Sequence, residues 1–244
     1  LHTAYRRQRQ MCIRDRYNFE GEDVAKWLNS MGIAAFVLEC RLPSDEHDNA
    51  EDVPLIDAMR AMRVIRGRAQ EFGIDEAKIG VMGFSAGGFM AALLSTAYES
   101  DVYADYKYKD EYDKLSARPD FAVCSYPVIS IDDCIEAGKR YMSEEQVLER
   151  ISDSKAKILH KYNPDKLVRP DMPPVFICET DDDRTTLSEN SVGFYMAARK
   201  AGVSAELHIF RTGGHGYGCG DDFAQTGEWK VLFTKWIKSI GIIS

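Results

Sequence analysis

The stretch Lys78-Ile79-Gly80-Val81-Met82-Gly83-Phe84-Ser85-Ala86-Gly87-Gly88 constrains the chain more than any other. A short apolar run ends abruptly in Gly-Phe-Ser-Ala-Gly, and a second apolar pattern, Phe89-Met90-Ala91-Ala92-Leu93-Leu94, begins at once. The pattern predicts a buried strand, a sharp turn and a helix, with a serine hydroxyl exposed at the turn above the helix N-terminus. Glycines flank the serine because strand and helix nearly touch there and leave no room for a Cβ. A bare Gly-x-Ser-x-Gly arises by chance in about one chain of this length in ten. The strand-turn-helix setting separates a nucleophile elbow from a glycine-rich turn that merely starts a helix.

With 244 residues, 45% hydrophobic and 29% charged, the chain fits one large α/β domain with a substantial core. The net charge of -8 leaves no basic excess to neutralise phosphates and argues against nucleic acid as a partner. No apolar run approaches the length of a membrane span, so no membrane partner is expected. The cysteines Cys12, Cys40, Cys124, Cys134, Cys178 and Cys219 are scattered, and no Cys or His spacing suggests zinc. Cys40, Cys124 and Cys178 fall in apparent core strands, where a reduced thiol behaves as a small hydrophobe. Neither a metal nor an organic cofactor is expected.

Leu1 to Arg16 does not read like the rest: it carries Arg6, Arg7, Arg9, Arg14 and Arg16 without helix or strand periodicity. It lacks the apolar core segment of a secretory leader. Residues 6–16 resemble translated sequencing-adapter text, so a replaced N-terminus is expected, with a disordered basic arm as the alternative. With that end replaced, neither a secreted nor a cytoplasmic location is indicated. Residues 1–19 are therefore read as non-native or disordered, and 20–244 as the domain.

From Glu20 the pattern is regular. Asp23 to Leu28 predicts a short amphipathic helix closed near Gly32. Ile33 to Leu38 predicts a strand covered on both faces. Pro43 to Asp52 is a polar loop, after which Asp52 can cap a helix that holds Pro54 in its first turn and ends at Gly73. Tyr98 to Ala117 is acidic and rich in tyrosine (Tyr98, Tyr103, Tyr106, Tyr108, Tyr112). It reads as a solvated insertion, with stacking on sugar rings as the alternative. Phe121 to Tyr126 predicts a buried strand, and Ile131 to Pro173 is irregular with a helical patch around Glu144 to Ile151. Val175 to Cys178 predicts a strand running into Thr180-Asp181-Asp182-Asp183. A helix ends at Gly202, Ala205 to Phe210 alternates as an edge strand does, and a last helix carries Trp229, Phe233 and Trp236. Alternating helices and unbroken apolar strands imply a three-layer αβα sandwich around a mainly parallel sheet.

Functional groups of such sheets gather at the carboxyl ends of the strands. Ser85, the Asp181 to Asp183 cluster and His215, within Gly213-Gly214-His215-Gly216, all lie there. A serine hydroxyl needs a base within hydrogen-bond reach, and the base needs a group that holds its tautomer and stabilises the imidazolium. Histidine suits the base because its pKa lies near neutrality. The order Ser, Asp, His is that of a triad built on this kind of sheet. Asp183 is the candidate acid and Asp182 the runner-up, the remaining aspartates of the cluster being a solvated turn or helix cap. His208 is expected to be a structural strand residue, and His47 and His160 surface loop positions.

These residues resemble the α/β-hydrolase fold esterases of the acetyl-xylan and feruloyl esterase-like group, near the dienelactone hydrolase and prolyl oligopeptidase relatives. The resemblance runs from about Glu20 to the C-terminus. It rests on Gly32 to Pro43, Ile79 to Gly88, Ser116 to Pro127, Asp181 to Ser191 and Gly213 to Gly218. It implies Ser85 as nucleophile, His215 as base and Asp183 as orienting acid, placed by its distance from Glu189-Asn190-Ser191. Leu187 stands where the family usually has proline. The resemblance also implies an oxyanion hole with one donor at the Ala86 backbone N–H. The family takes the other from a Gly-rich loop just before the helix that begins near Asp23. The Arg-rich stretch occupies that place here, and the first strands of the fold are expected to be missing. The implied activity is hydrolysis of small acyl esters of carbohydrate. The alternatives are a catalytically impaired or non-catalytic α/β-hydrolase-fold protein and, less favoured for a chain this short, a prolyl oligopeptidase-type peptidase.

Overall fold

A computed structural model describes residues 17–42, 49–104, 106–151, 158, 160–219 and 226–243. The expected basic arm (residues 1–16), His47 and Cys12 lie outside these. Tyr17–Glu22, straddling the boundary expected at residue 20, forms a π-helical turn that runs into α1 (Asp23–Ser30). Gly32, at φ 77, ends that helix as its lack of a Cβ allows. Next come α2 (Val53–Gly67) and α3 (Ala69–Phe72), which interrupt the single helix expected there at Arg68, and left-handed Gly73 closes the pair. The order continues with β1 (Val81–Phe84), α4 (Ala86–Ala97), β2 (Ala122–Ser125), α5 (Ile131–Lys139) and α6 (Glu144–Ile151). It ends with β3 (Val175–Thr180), α7 (Ser188–Lys200), β4 (Ala205–Phe210) and α8 (Glu228–Ser239).

The described strands form one parallel sheet in the order β1-β2-β3-β4, with Val81 opposite Ala122, Ala122 opposite Val175, and Val175 opposite Ala205. Alternation along the strands sorts the core into two faces. Val123, Phe176 and Cys178 point to one side, where Val24 of α1 and Trp229, Phe233 and Trp236 of α8 cover them. Ala122, Cys124, Val175 and Ile177 point to the other, against Ala91 and Ala92 of α4 and Phe194 and Ala198 of α7. Helix α2 lays Leu55, Met59 and Met62 over the outer side of α4, against Phe89, Leu93 and Leu94. This is the αβα sandwich expected. On the first face the rings of Trp27 and Trp229 meet edge-on at 5.0 Å, joining α1 to α8.

The strand expected over Ile33 to Leu38 is not formed. That segment has no regular structure, and Phe36, Val37 and Leu38 are 46%, 42% and 49% exposed. An apolar run favours burial, but a strand also needs a ladder partner for its backbone groups, and β1 pairs only with β2 among the described residues. Cys40, expected in this strand, is consequently half-buried in the loop. Arg41 ties the loop down through a fork on Asp57 of α2, with Nη2 2.6 Å from Oδ1.

Asp52 sits at the start of α2 without capping it. Its carboxylate takes Lys161 Nζ at 2.7 Å and the Tyr162 hydroxyl at 2.5 Å. The tyrosine-rich stretch is not a solvated insertion throughout. Tyr98 and Tyr103 are buried, and the Arg63 guanidinium lies 4.0 Å from the centre of the Tyr103 ring. Burial and the neighbouring Asp113 push the Tyr103 phenol up to about 12. Tyr108, by contrast, is exposed. Helix α5 lies inside the region expected to be irregular. Among the described residues no helix is long and apolar enough to cross a membrane.

Candidate functional site

Ser85 follows β1 directly and precedes α4 with φ 54 and ψ -117, a left-handed conformation that a serine adopts only where its surroundings impose it. The surroundings are visible in the hydrogen bonds. Ser85 N–H continues the ladder to the Ser125 carbonyl at 3.0 Å, and its own carbonyl already accepts Phe89 N–H of the helix at 3.0 Å. Strand and helix thus share one residue. A Cβ on Gly83 would overlap the Gly87 carbonyl, and one on Gly88 would come 3.0 Å from Pro127. Gly83 above all, and Gly88 more mildly, answer to this close approach, whereas a Cβ on Gly87 would meet open space.

Ser85 is only 7% exposed, and its Oγ lies 2.8 Å from His215 Nε2. His215 Nδ1 lies 2.7 Å from Asp183 Oδ2. Asp183 is buried and accepts three further bonds: Thr185 N–H at 2.7 Å, Thr186 N–H at 3.0 Å and the Thr186 hydroxyl at 2.9 Å. Burial alone would raise the Asp183 pKa. The bond to His215, the imidazole's charge and the Thr186 and Thr185 N–H groups outweigh it, so the carboxyl titrates below its ordinary value. The structure therefore brings together Ser85, Asp183 and His215 from three separate loops at the carboxyl end of the sheet. Ala86 is the first residue of α4, where backbone N–H groups have no intrahelical acceptor. The place that the family resemblance gives the second oxyanion donor falls in residues 1–16, outside the described residues.

Asp182 is also occupied, with something else. Its Oδ1 accepts the N–H groups of Gly213 at 2.9 Å and Gly214 at 2.8 Å, so it clamps the loop that carries His215. Thr180 Oγ1 donates to the Gly214 carbonyl at 2.9 Å from the same side. Glycine is needed at 213, where a Cβ would run into Thr226 and Thr180. Asp181 is exposed. His208 is a strand residue with Nε2 2.7 Å from Glu206 Oε1, and His160 is exposed in a helical turn.

Sequence reasoning did not single out Tyr126, although it lines the site. It follows β2 at φ 37, and its ring meets the His215 imidazole edge-on at 5.1 Å. Its hydroxyl donates to Glu20 Oε1 at 3.0 Å and accepts Gly218 N–H at 3.0 Å, linking the N-terminal turn to the histidine loop. Burial and the Glu20 carboxylate hold the phenol protonated far above its usual range. A tyrosine before proline at a strand end was the available signal. Asn190, of the Glu189-Asn190-Ser191 triplet, accepts the N–H groups of Ile129 and Ser130 at 3.0 and 2.9 Å and so fastens α7 to the loop after β2.

The model of the BD-FAE family matches residues 15–197. The chain belongs to the BD-FAE family. It is 31% identical over 223 residues to an acetylxylan esterase of Xylanibacter ruminicola, covering 91% of this chain and 42% of that protein. It is also 31% identical over 204 residues to endo-1,4-beta-xylanase B of Butyrivibrio fibrisolvens, covering 83% of this chain and 30% of that one. The chain thus spans less than half the length of these curated relatives. Among solved structures, an acetyl ester-xyloside bifunctional hydrolase from Caldicellulosiruptor lactoaceticus superposes with a TM-score of 0.75 at 38% identity, over 91% of this chain and 77% of that one. An esterase from Thermogutta terrifontis superposes with a TM-score of 0.70 at 26% identity, over 92% and 78% of the two chains. The BD-FAE chain has the fold of these hydrolases, as the resemblance implied.

Proposed function

We propose that this BD-FAE chain is a serine carboxylic-ester hydrolase that works through an acyl-enzyme. The observation that carries the reading is the continuous hydrogen-bonded line from Ser85 Oγ through His215 to Asp183. Ser85 attacks the ester carbonyl while His215 Nε2 takes the hydroxyl proton, and the buried Asp183 carboxylate stabilises the imidazolium. The Ala86 N–H is the oxyanion donor supplied directly after the nucleophile. Collapse of the tetrahedral intermediate expels the alcohol, protonated by His215. Water, deprotonated by the same imidazole, then attacks the acyl-serine, releasing the carboxylic acid and regenerating Ser85. None of these steps calls on a metal or organic cofactor. The substrate class is small acyl esters of carbohydrate, acetyl groups on xylan foremost, as the names of the relatives suggest.

The test is labelling with an alkyl fluorophosphonate followed by peptide mass analysis. One phosphonyl group on the peptide that carries Ser85, lost in His215→Ala, is the expected result. A chain left unlabelled would overturn the serine mechanism.

A further inference from the structure

One buried ionisable group beside the triad has no part in the reaction above. Glu179 lies in β3, with no exposed surface, in a strand whose neighbours Phe176, Ile177 and Cys178 are equally buried. Its Oε1 accepts the Thr180 N–H at 2.9 Å, and its Oε2 accepts the Ser191 hydroxyl of α7 at 3.2 Å. The Asp183 side chain is a further hydrogen-bond partner of the carboxyl. Two carboxylates cannot both stay ionised at that separation in a buried site, so one of them holds a proton.

The surroundings decide which. Asp183 has the imidazole and three N–H or O–H donors, all favouring its charged form. Glu179 has one N–H and one hydroxyl. The titratable groups acting on or sensing it are Asp183 from the loop after β3, Cys178 from its own strand and Tyr217 from the loop after β4. None of these is a cation, and α7 contributes only the neutral Ser191. The Thr180 N–H and the Ser191 hydroxyl favour the ionised form, but burial, the largest influence, and the Asp183 carboxylate favour the protonated acid and outweigh them.

We propose that Glu179 is a neutral carboxylic acid that donates a hydrogen bond to the Asp183 carboxylate, a positioning residue that holds the triad acid toward His215. Its burial accords with this: desolvation foremost, with the Asp183 charge adding to it, pushes the Glu179 carboxyl up to about 9. A neutral donor supports the buried aspartate without adding a like charge, which an ionised glutamate would do. Ionisation of Glu179 in alkaline solution reverses the contact from a hydrogen bond to a repulsion and loosens Asp183 from His215.

The inference rests on the triad reading, and its test separates the two. In the full chain labelled with 13C at the glutamate δ-carbon, one carboxyl resonance should remain protonated at neutral pH and titrate near 9. That resonance should be missing from Glu179→Gln. If every glutamate titrates in the ordinary carboxylate range, the proposal is overturned whatever the activity. In p-nitrophenyl acetate hydrolysis, Glu179→Gln keeps a donor and should retain kcat while losing the alkaline limb of the parent's pH profile. Glu179→Leu has no donor and should lose about tenfold in kcat at unchanged KM. Parental kcat in the leucine variant, or an unaltered alkaline limb in the glutamine variant, would also overturn it. If the parent shows no Ser85-dependent turnover, the triad reading fails, while the resonance still decides where the proton sits.

Discussion

Asp182 and Asp183 are neighbours in sequence with different partners in space. Asp183 faces the His215 ring, and Asp182 holds the backbone of Gly213 and Gly214. Removing charge at the first should cost far more than at the second. Asp183→Asn is expected to lower kcat by ~10³–10⁴-fold, because the imidazolium loses its counter-charge and the imidazole its tautomer. Asp182→Ala should cost about tenfold, through a looser histidine loop. Steady-state hydrolysis of p-nitrophenyl acetate measures both, and equal losses would contradict the assignment. Three consecutive aspartates after a strand told of an acid at this place. The family resemblance pointed to Asp183 by its distance from Glu189-Asn190-Ser191; physically, which of the three turns inward depends on the turn through Thr180 and on the threonines at 185 and 186. Glu179 was invisible: one charged residue near the end of an apolar strand reads as the strand's exit to solvent. The two carboxyls also act oppositely on stability. Asp183 titrates below its unfolded value, so its contribution is present above pH of about 3.9 and is lost as pH falls through the lower native value. Glu179 titrates above its unfolded value, so between about 4.3 and about 9 the native state holds a proton that the unfolded state has released, and stability falls as pH rises through that window. Glu179→Gln removes this penalty. Its melting temperature relative to the parent should rise from pH 5 to pH 8, and a constant difference would contradict the assignment.

At the scale of elements, the strand-turn-helix of Val81 to Ala97 was legible because the contact of strand and helix dictates a glycine at 83 and favours one at 88. A methyl group on Gly83 would fall on the Gly87 carbonyl. Gly83→Ala is therefore expected to destabilise the chain by about 3 kcal/mol, at the upper end of overpacking costs, and to move Ser85 away from His215. Urea unfolding monitored by tryptophan fluorescence measures the first effect. The π-helical turn at Tyr17–Glu22 and the histidine loop meet through the Tyr126 hydroxyl, a contact between segments 106 and 92 residues from it that no local pattern announces. Tyr126→Phe keeps the ring and deletes both bonds. About 1–3 kcal/mol of stability should go with them, since the Gly218 N–H is left without its partner. Helix α5 escaped notice because Asp132, Asp133 and Glu136 give it the composition of a loop.

For the whole molecule, the parallel sheet and the two-sided core followed from the alternation of apolar strands with amphipathic helices. The misread strand at Ile33 to Leu38 marks the boundary of that inference: hydrophobicity reports a tendency to leave water, and pairing depends on what the rest of the chain offers. The consequence is an apolar strip, Phe36 to Leu38, exposed on a molecule whose β1 strand pairs on one side only among the described residues. Such surfaces drive self-association. Sedimentation should show concentration-dependent association that Leu38→Lys reduces, and an ideal monomer at every concentration would contradict this. Pre-steady-state hydrolysis of p-nitrophenyl acetate by the chain and by its Ser85→Ala variant tests the acyl-enzyme chemistry most directly. A burst of p-nitrophenol no larger than the enzyme concentration is expected in the parent, followed by turnover, with both absent in the variant. Equal rates in the two chains would contradict it.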